Sequence, residues 1–173
     1  MEQLYLFKNA EQETKKIVTD SQHHEWLLFV DGASRNNPGP AGAGIYLLKN
    51  NIPVHKEGFF LGIKTNNQAE YLALLLGIFF LQKRVQSGDL VRVISDSELL
   101  VKQINGLYKV KRPHLKPLHA LAQQKIKAMG AKVLHVLRTE NTQADKMANR
   151  GIDYKKSLPT DFIFFLNQHE IEL

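Results

Sequence analysis

The sequence predicts an α/β domain built on a five-stranded mixed sheet, three antiparallel strands followed by two parallel ones, with helices on both faces. Two observations carry this. The first three strand-like runs are separated only by turn residues, and hairpins of that length join antiparallel strands. The later two strands are each preceded by helical stretches, as parallel crossover connections require.

Trp26 to Val30 is a run of large apolar residues without alternation, which reads as a strand buried on both faces, and Asp31 stands where that strand ends. Asn37-Pro38-Gly39-Pro40 is turn chemistry, and the small residues Ala41 to Gly44 lead into a second strand at Ile45 to Leu48. Val54 to Leu61 reads as a third strand, bounded by Asn50-Asn51, Pro53 and Gly62. Thr65-Asn66-Asn67 has the residue types that cap helices, and Gln68 to Arg84 follows as a helix that places Glu70 in its first turn. Leu90 to Ile94 is a fourth strand with Asp96 just past its end. A short helix from Glu98 stops at Gly106, a second runs from about Leu118 to Met129, and Gly130 closes it. Lys132 to Leu137 is the fifth strand, and Thr142 opens the last helix with Asp145 in its first turn.

The chain divides into an N-terminal extension over 1–25 with one apolar patch at Leu4 to Phe7, a domain over 26–154, and a C-terminal tail over 155–173. The tail's apolar Phe162 to Leu166 is expected to pack back on the core. At 173 residues the domain can bury a proper core, and the absence of Cys excludes disulfides and thiolate metal sites. No secretory signal pattern is visible, and the longest apolar run, Tyr71 to Leu81, is too short to span a bilayer. A cytoplasmic monomer is the expectation, with no membrane partner.

Charge is uneven. Residues 1–25 carry 3 Lys against 5 acids and residues 151–173 carry 2 Lys against 4, so each end is −2 and the middle, with the chain total at +6, is +10. A basic body between acidic ends points to a polyanion, nucleic acid first.

Against that basic background, Asp31 and Asp96 both follow strands, and Glu70 and Asp145 sit near helix starts, where the dipole favours an anion. Gathered at one sheet edge, four acids would repel and raise one another's pKa, so the cluster implies a cation. Oxygen ligands with no His or Cys among them select Mg²⁺, with Mn²⁺ as a substitute, over zinc. Two such ions bridged by a shared carboxylate suit phosphodiester cleavage.

Four segments carry a family resemblance: Asp31-Gly32-Ala33-Ser34 through Asn37-Pro38-Gly39, Thr65-Asn66-Asn67-Gln68-Ala69-Glu70, Ser95-Asp96-Ser97, and Asn141-Thr142-Gln143-Ala144-Asp145. In this order they resemble the acidic motifs of type 1 ribonuclease H, over about 26 to 154. The resemblance implies a ribonuclease H-like fold and Mg²⁺-dependent hydrolysis of the RNA strand of RNA/DNA hybrids, leaving 5′-phosphate and 3′-hydroxyl ends. It implies that Asp31 bridges two metal ions, that Glu70 and Asp96 hold one, and that Asp145 holds the other. Asn37, Asn66 and Asn67 match family positions that contact the minor groove, where the 2′-hydroxyl tells RNA from DNA.

The chain also departs from the family. Many relatives carry a His in the loop before the last carboxylate, whereas His135 here falls in the fifth strand. The spacing Arg-x-x-Asn-x-x-Ala-Asp resembles the short bacterial and archaeal branch and makes Arg138 the candidate for electrostatic help at the scissile phosphate, with a salt bridge to a nearby acid as the alternative. Glu98 stands where many relatives have Gln. The 48 residues between Asp96 and Asp145 leave little room for the basic handle of other relatives, and Lys109, Lys111, Arg112 and Lys116 are candidates to grip backbone phosphates instead. Two other functions stay open: a non-cleaving nucleic-acid-binding module, and a nuclease of the same fold acting on another nucleic acid.

Overall fold

The computed structural model describes residues 23–173. The expected N-terminal extension and its Leu4 to Phe7 patch lie outside those residues, except that Glu25 already belongs to the first strand. Strands β1 (Glu25–Ser34), β2 (Gly39–Lys49), β3 (Ile52–Lys64), β4 (Leu90–Ser95) and β5 (Lys132–His135) form one sheet in the order β3-β2-β1-β4-β5. β1 pairs antiparallel with β2 and β2 with β3, while β4 lies parallel to β1 and β5 parallel to β4. This is the mixed sheet expected, with both crossovers supplied by helices.

Helix α1 (Asn66–Gln82) covers one face of the sheet and carries almost no polar surface, because the sheet lies on one side of it and α3 (Lys116–Ala128) on another. Leu72, Leu74, Leu75, Leu76, Ile78 and Leu81 are all buried, which explains why its apolar residues form a run rather than a stripe. Each such side chain taken from water contributes roughly 1.5–3 kcal/mol. Thr65 caps α1 through a reciprocal pair: its Oγ1 accepts from the Gln68 amide, and Gln68 Oε1 accepts from the Thr65 amide at 2.9 Å. Helix α2 (Glu98–Ile104) starts at Ser97, whose Oγ accepts from the Leu100 amide. Helix α4 (Thr142–Tyr154) covers the opposite face over β2 and β3.

The tail packs back as expected. It forms α5 (Thr160–Asn167), whose Phe162 and Phe165 rings lie 5.4 and 5.5 Å from Phe79 on α1, with Phe162 and Leu166 fully buried. Among the described residues no helix is long and apolar enough to cross a membrane.

Three details differ from expectation. β1 does not end at Asp31 but runs on to Ser34, paired with the Gly/Ala stretch of β2 through Ala33↔Gly42 and Ser34↔Ala41. Those small residues read as loop, yet they extend the hairpin because α4 lies directly on their backbone. What does stop near Asp31 is the parallel ladder with β4, whose last pair is Phe29↔Ile94. Nor is β1 buried equally on both faces: Trp26, Leu28 and Val30 are buried, while Leu27 and Phe29 are half-buried. Finally, α1 starts directly at Asn66, which moves Glu70 into its second turn.

Candidate active site

Two close backbone approaches bring the acids together. A Cβ on Gly32 would sit 2.2 Å from the backbone of Ala69 and Glu70, so only glycine lets β1 touch α1 there, and the Gly32 amide donates to Glu70 Oε2 at 3.1 Å. On the other face, a Cβ on Gly44 would sit 2.0 Å from the Ala144 carbonyl oxygen, so α4 rests on β2 next to Asp145. Gly44 pairs with Asp31 across the hairpin. Asp31, Glu70, Asp96 and Asp145 therefore meet where the parallel ladder opens.

The electrostatics register that meeting. Asp31 and Glu70 are each only 6% exposed. Burial, then the charges of Asp96 and Asp145, push the Asp31 carboxyl up to about 7, and a hydrogen bond with the Asp96 carboxyl adds to the rise. Glu70 is held well above the ordinary carboxylate range by burial first and then by Asp31 and Asp96, against the pull of the Gly32 amide and Arg138. Two buried carboxyls driven toward their neutral forms by burial and by neighbouring carboxylates make a site whose negative charge a bound cation would balance. All four side chains offer hard oxygen atoms, so the donor set fits a Mg²⁺-type ion.

The carboxylates are also held by neighbours. Arg138, in a 3₁₀ turn over Arg138–Glu140, donates from a guanidinium nitrogen to Asp145 Oδ1 at 2.8 Å. The expected alternative, a salt bridge with a nearby acid, is thus present, and the same guanidinium lowers the pKa of Asp31 and Glu70 through space. Asn141 donates from Nδ2 to Asp96 Oδ1 at 2.6 Å and to the Val30 carbonyl at 3.0 Å. With these contacts in place, among the described residues no three His, Cys, Asp or Glu side chains stand as a ready-made metal cage.

Asn141 was not singled out from the sequence. It stands at the N-cap position of α4, where Asn ordinarily caps with its own side chain, yet it makes no such bond. Its side chain is 1% exposed, and its Oδ1 is buried without a partner. The available signal was its place four residues before Asp145.

The other candidates fall into two groups. Asn37 Oδ1 accepts from the Asn66 amide at 2.9 Å, which ties the β1–β2 loop to the start of α1. Asn67 lines a groove of about 510 Å³ together with Lys109, Lys111, Arg112, Leu99 and Tyr108. Lys116, in the first turn of α3, is not among its lining residues.

A family model described as reverse transcriptase-like matches residues 29–151. A bifunctional protein of Mycobacterium tuberculosis is 37% identical over 132 residues, covering 73% of this chain and 35% of the relative, so this chain spans about a third of that protein's length. A ribonuclease H of Coxiella burnetii is 33% identical over 144 residues, covering 73% of this chain and 88% of the relative. Among solved structures, LC11-RNase H1, isolated from compost and crystallised in complex with RNA/DNA hybrid, aligns with a TM-score of 0.69 and 35% identity, over 75% of this chain and 97% of its own. With four ordered acidic motifs gathered at one sheet edge, a family model that matches residues 29–151 and a ribonuclease H relative matched over 88% of its length, the chain belongs to the type 1 ribonuclease H family.

Proposed function

We propose that this protein is an endoribonuclease that hydrolyses the RNA strand of RNA/DNA hybrids, leaving 5′-phosphate and 3′-hydroxyl ends. The observation that carries the reading is the convergence of Asp31, Glu70, Asp96 and Asp145, two of them nearly buried and held toward neutrality. A binding surface for polyanions has no use for four converging acids at its centre. Relatives of matching length bear the name ribonuclease H, and one has been solved with RNA/DNA hybrid.

Asp31, Glu70, Asp96 and Asp145 would hold two Mg²⁺ ions, or Mn²⁺ in their place. Bound there, such ions supply an activated water and stabilise the leaving oxygen. The protein's own residues supply the rest. Asn141 orients Asp96 against the β1 backbone, and the Gly32 amide orients Glu70. Arg138, exposed at the rim, offers positive charge beside Asp145 to a phosphate. Asn37, Asn66 and Asn67, whose amides both donate and accept, face the minor groove, where the 2′-hydroxyl marks the RNA strand. Lys109, Lys111, Arg112 and Lys116 hold backbone phosphates.

The test is cleavage of four end-labelled duplexes, RNA/DNA, RNA/RNA, DNA/DNA and DNA carrying a single ribonucleotide, with Mg²⁺, with Mn²⁺ and with chelator. Asp31→Asn serves as control. The expected result is metal-dependent cutting of the RNA strand of the hybrid, abolished in the variant. A hybrid that is bound but never cut with either metal overturns the proposal.

A further inference from the structure

We propose that the outer face of α4 is a binding strip for an unpaired extension of the RNA strand, a site separate from the groove beside Asn67. The inference rests on the reading above for which strand passes over the carboxylates. Lys146, Arg150 and Tyr154 stand at i, i+4 and i+8 on α4 and share one exposed side of the helix. That side begins one residue after Asp145, so Tyr154 lies about 13 Å along the helix axis from Asp145. Asp153, on the same side of the helix, is already paired with Arg35 of the loop between β1 and β2.

Across from the strip, Lys56 and Lys156 on the far wall complete a cleft of about 310 Å³ with Arg150 and Tyr154. The cleft's acid, Glu57, is already paired with Lys156. Lys56 donates to the neutral Gln143, and among the described residues no carboxylate pairs with Lys56, Lys146 or Arg150. The cleft therefore keeps positive charge facing solvent.

Tyr154 decides the class of ligand. It is 73% exposed, and the Arg150 guanidinium lies over its ring at 5.4 Å. A duplex keeps its base faces stacked inside and has no use for an exposed ring beside a guanidinium plane. An unpaired strand presents base faces that stack on aromatic rings and on guanidinium planes while its phosphates meet lysines. The cleft thus suits a few unpaired nucleotides of the strand that leaves the catalytic centre alongside Asp145.

The test uses full-length Asp31→Asn protein, which leaves substrate intact, and fluorescence anisotropy on a blunt RNA/DNA hybrid and on the same hybrid with six unpaired uridines on either end of the RNA strand or of the DNA strand. An extension at one end of the RNA strand should tighten binding about tenfold, the weight of about one aromatic stack. Adding Arg150→Ala and Tyr154→Ala should remove that gain and leave blunt-hybrid affinity unchanged, whereas Tyr154→Phe, which keeps the ring, should retain it. In an otherwise wild-type background the Ala pair should cut blunt hybrid at the normal rate, which reports an intact fold. No gain in the parent protein, a gain only on the DNA strand, or a gain that survives the Ala pair overturns the strip. Failure of wild-type protein to cut blunt hybrid while the gain persists overturns the proposed activity and leaves the strip standing.

Discussion

Asn141 donates its side-chain amide to Asp96 at 2.6 Å, joining the residue before α4 to the carboxylate that follows the fourth strand. The same nitrogen reaches the Val30 carbonyl, one residue before Asp31, so a single buried amide fixes the spacing of two catalytic candidates. Asn141→Ala leaves the Val30 carbonyl without its donor and frees Asp96 to move. The expected loss is about 1–3 kcal/mol of stability, read from urea midpoints, and about 10- to 100-fold in turnover at saturating hybrid, the scale that a misplaced catalytic group brings. Wild-type turnover in this variant would remove Asn141 from the site.

Arg138 touches Asp145 but is itself exposed, so its charge acts through a screened path. It is also the residue best placed to meet a phosphate at the rim. Arg138→Ala should lower turnover about tenfold, less than a fully buried donor would, with hybrid affinity little changed. The check is a comparison of turnover number with equilibrium binding of an uncut hybrid. Unchanged turnover reduces Arg138 to a surface ion pair.

What the sequence made legible was local. Asp96 and Asp145 stand at or near boundaries between elements, Asp31 and Glu70 lie within four residues of one, and boundaries are marked by turn residues, caps and the ends of apolar runs. The unread parts depend on partners far along the chain. Asn141 looks like an ordinary helix cap, and its real acceptor at Val30 lies 111 residues away. Gly32 looks like turn glycine, and its necessity comes from the Glu70 backbone pressing against it. The Gly/Ala ends of β1 and β2 carry little strand propensity of their own, and the packing of α4 extends them. The tail was legible as apolar, but its seat against Phe79 was not.

Asp89 fastens the start of β1 to the start of β4. Its carboxylate accepts from the His24 amide at 2.8 Å, from the Trp26 indole at 2.8 Å and from the Gln86 amide at 3.0 Å. Desolvation raises its pKa, but these hydrogen bonds outweigh it and hold the group below its ordinary value. A depressed folded-state pKa means that the ionised form stabilises the fold. That contribution is present above the unfolded pKa of about 3.9 and is lost as pH falls through the folded value. Asp89→Asn should lower Tm at pH 7 by about 2–4 °C, the shift that 1 kcal/mol makes at this size, and should narrow its deficit against wild type at pH 3. A deficit that stays constant from pH 7 to pH 3 would rule out the ionised carboxylate as its source.

Phe162 anchors the tail. Fully buried against Phe79 and Phe165, it should cost about 3–5 kcal/mol when cut to Ala, with α5 becoming sensitive to limited proteolysis. In the wild-type chain the tail should resist cleavage as long as the domain does. Rapid loss of the tail from otherwise intact wild-type protein would contradict the docked position.

The basic segment gives the salt dependence. Lys109, Lys111 and Arg112 share one groove with Asn67, while Lys116 is not among its lining residues, so the four cations are not equivalent. Each phosphate neutralised releases condensed counterions, and the slope of log affinity against log salt changes by about 0.7–0.9 per contact. Replacing Lys109, Lys111 and Arg112 together by Ala should make the slope for an uncut hybrid shallower by about 2 to 3, whereas Lys116→Ala alone should change it by about 1 at most. Binding titrations between 50 and 300 mM salt, about the range over which such slopes are measured, separate the cases. A slope unaltered by the triple replacement would mean that the groove cations are solvated surface charges, and hybrid binding would then rest on the asparagines and the catalytic centre alone.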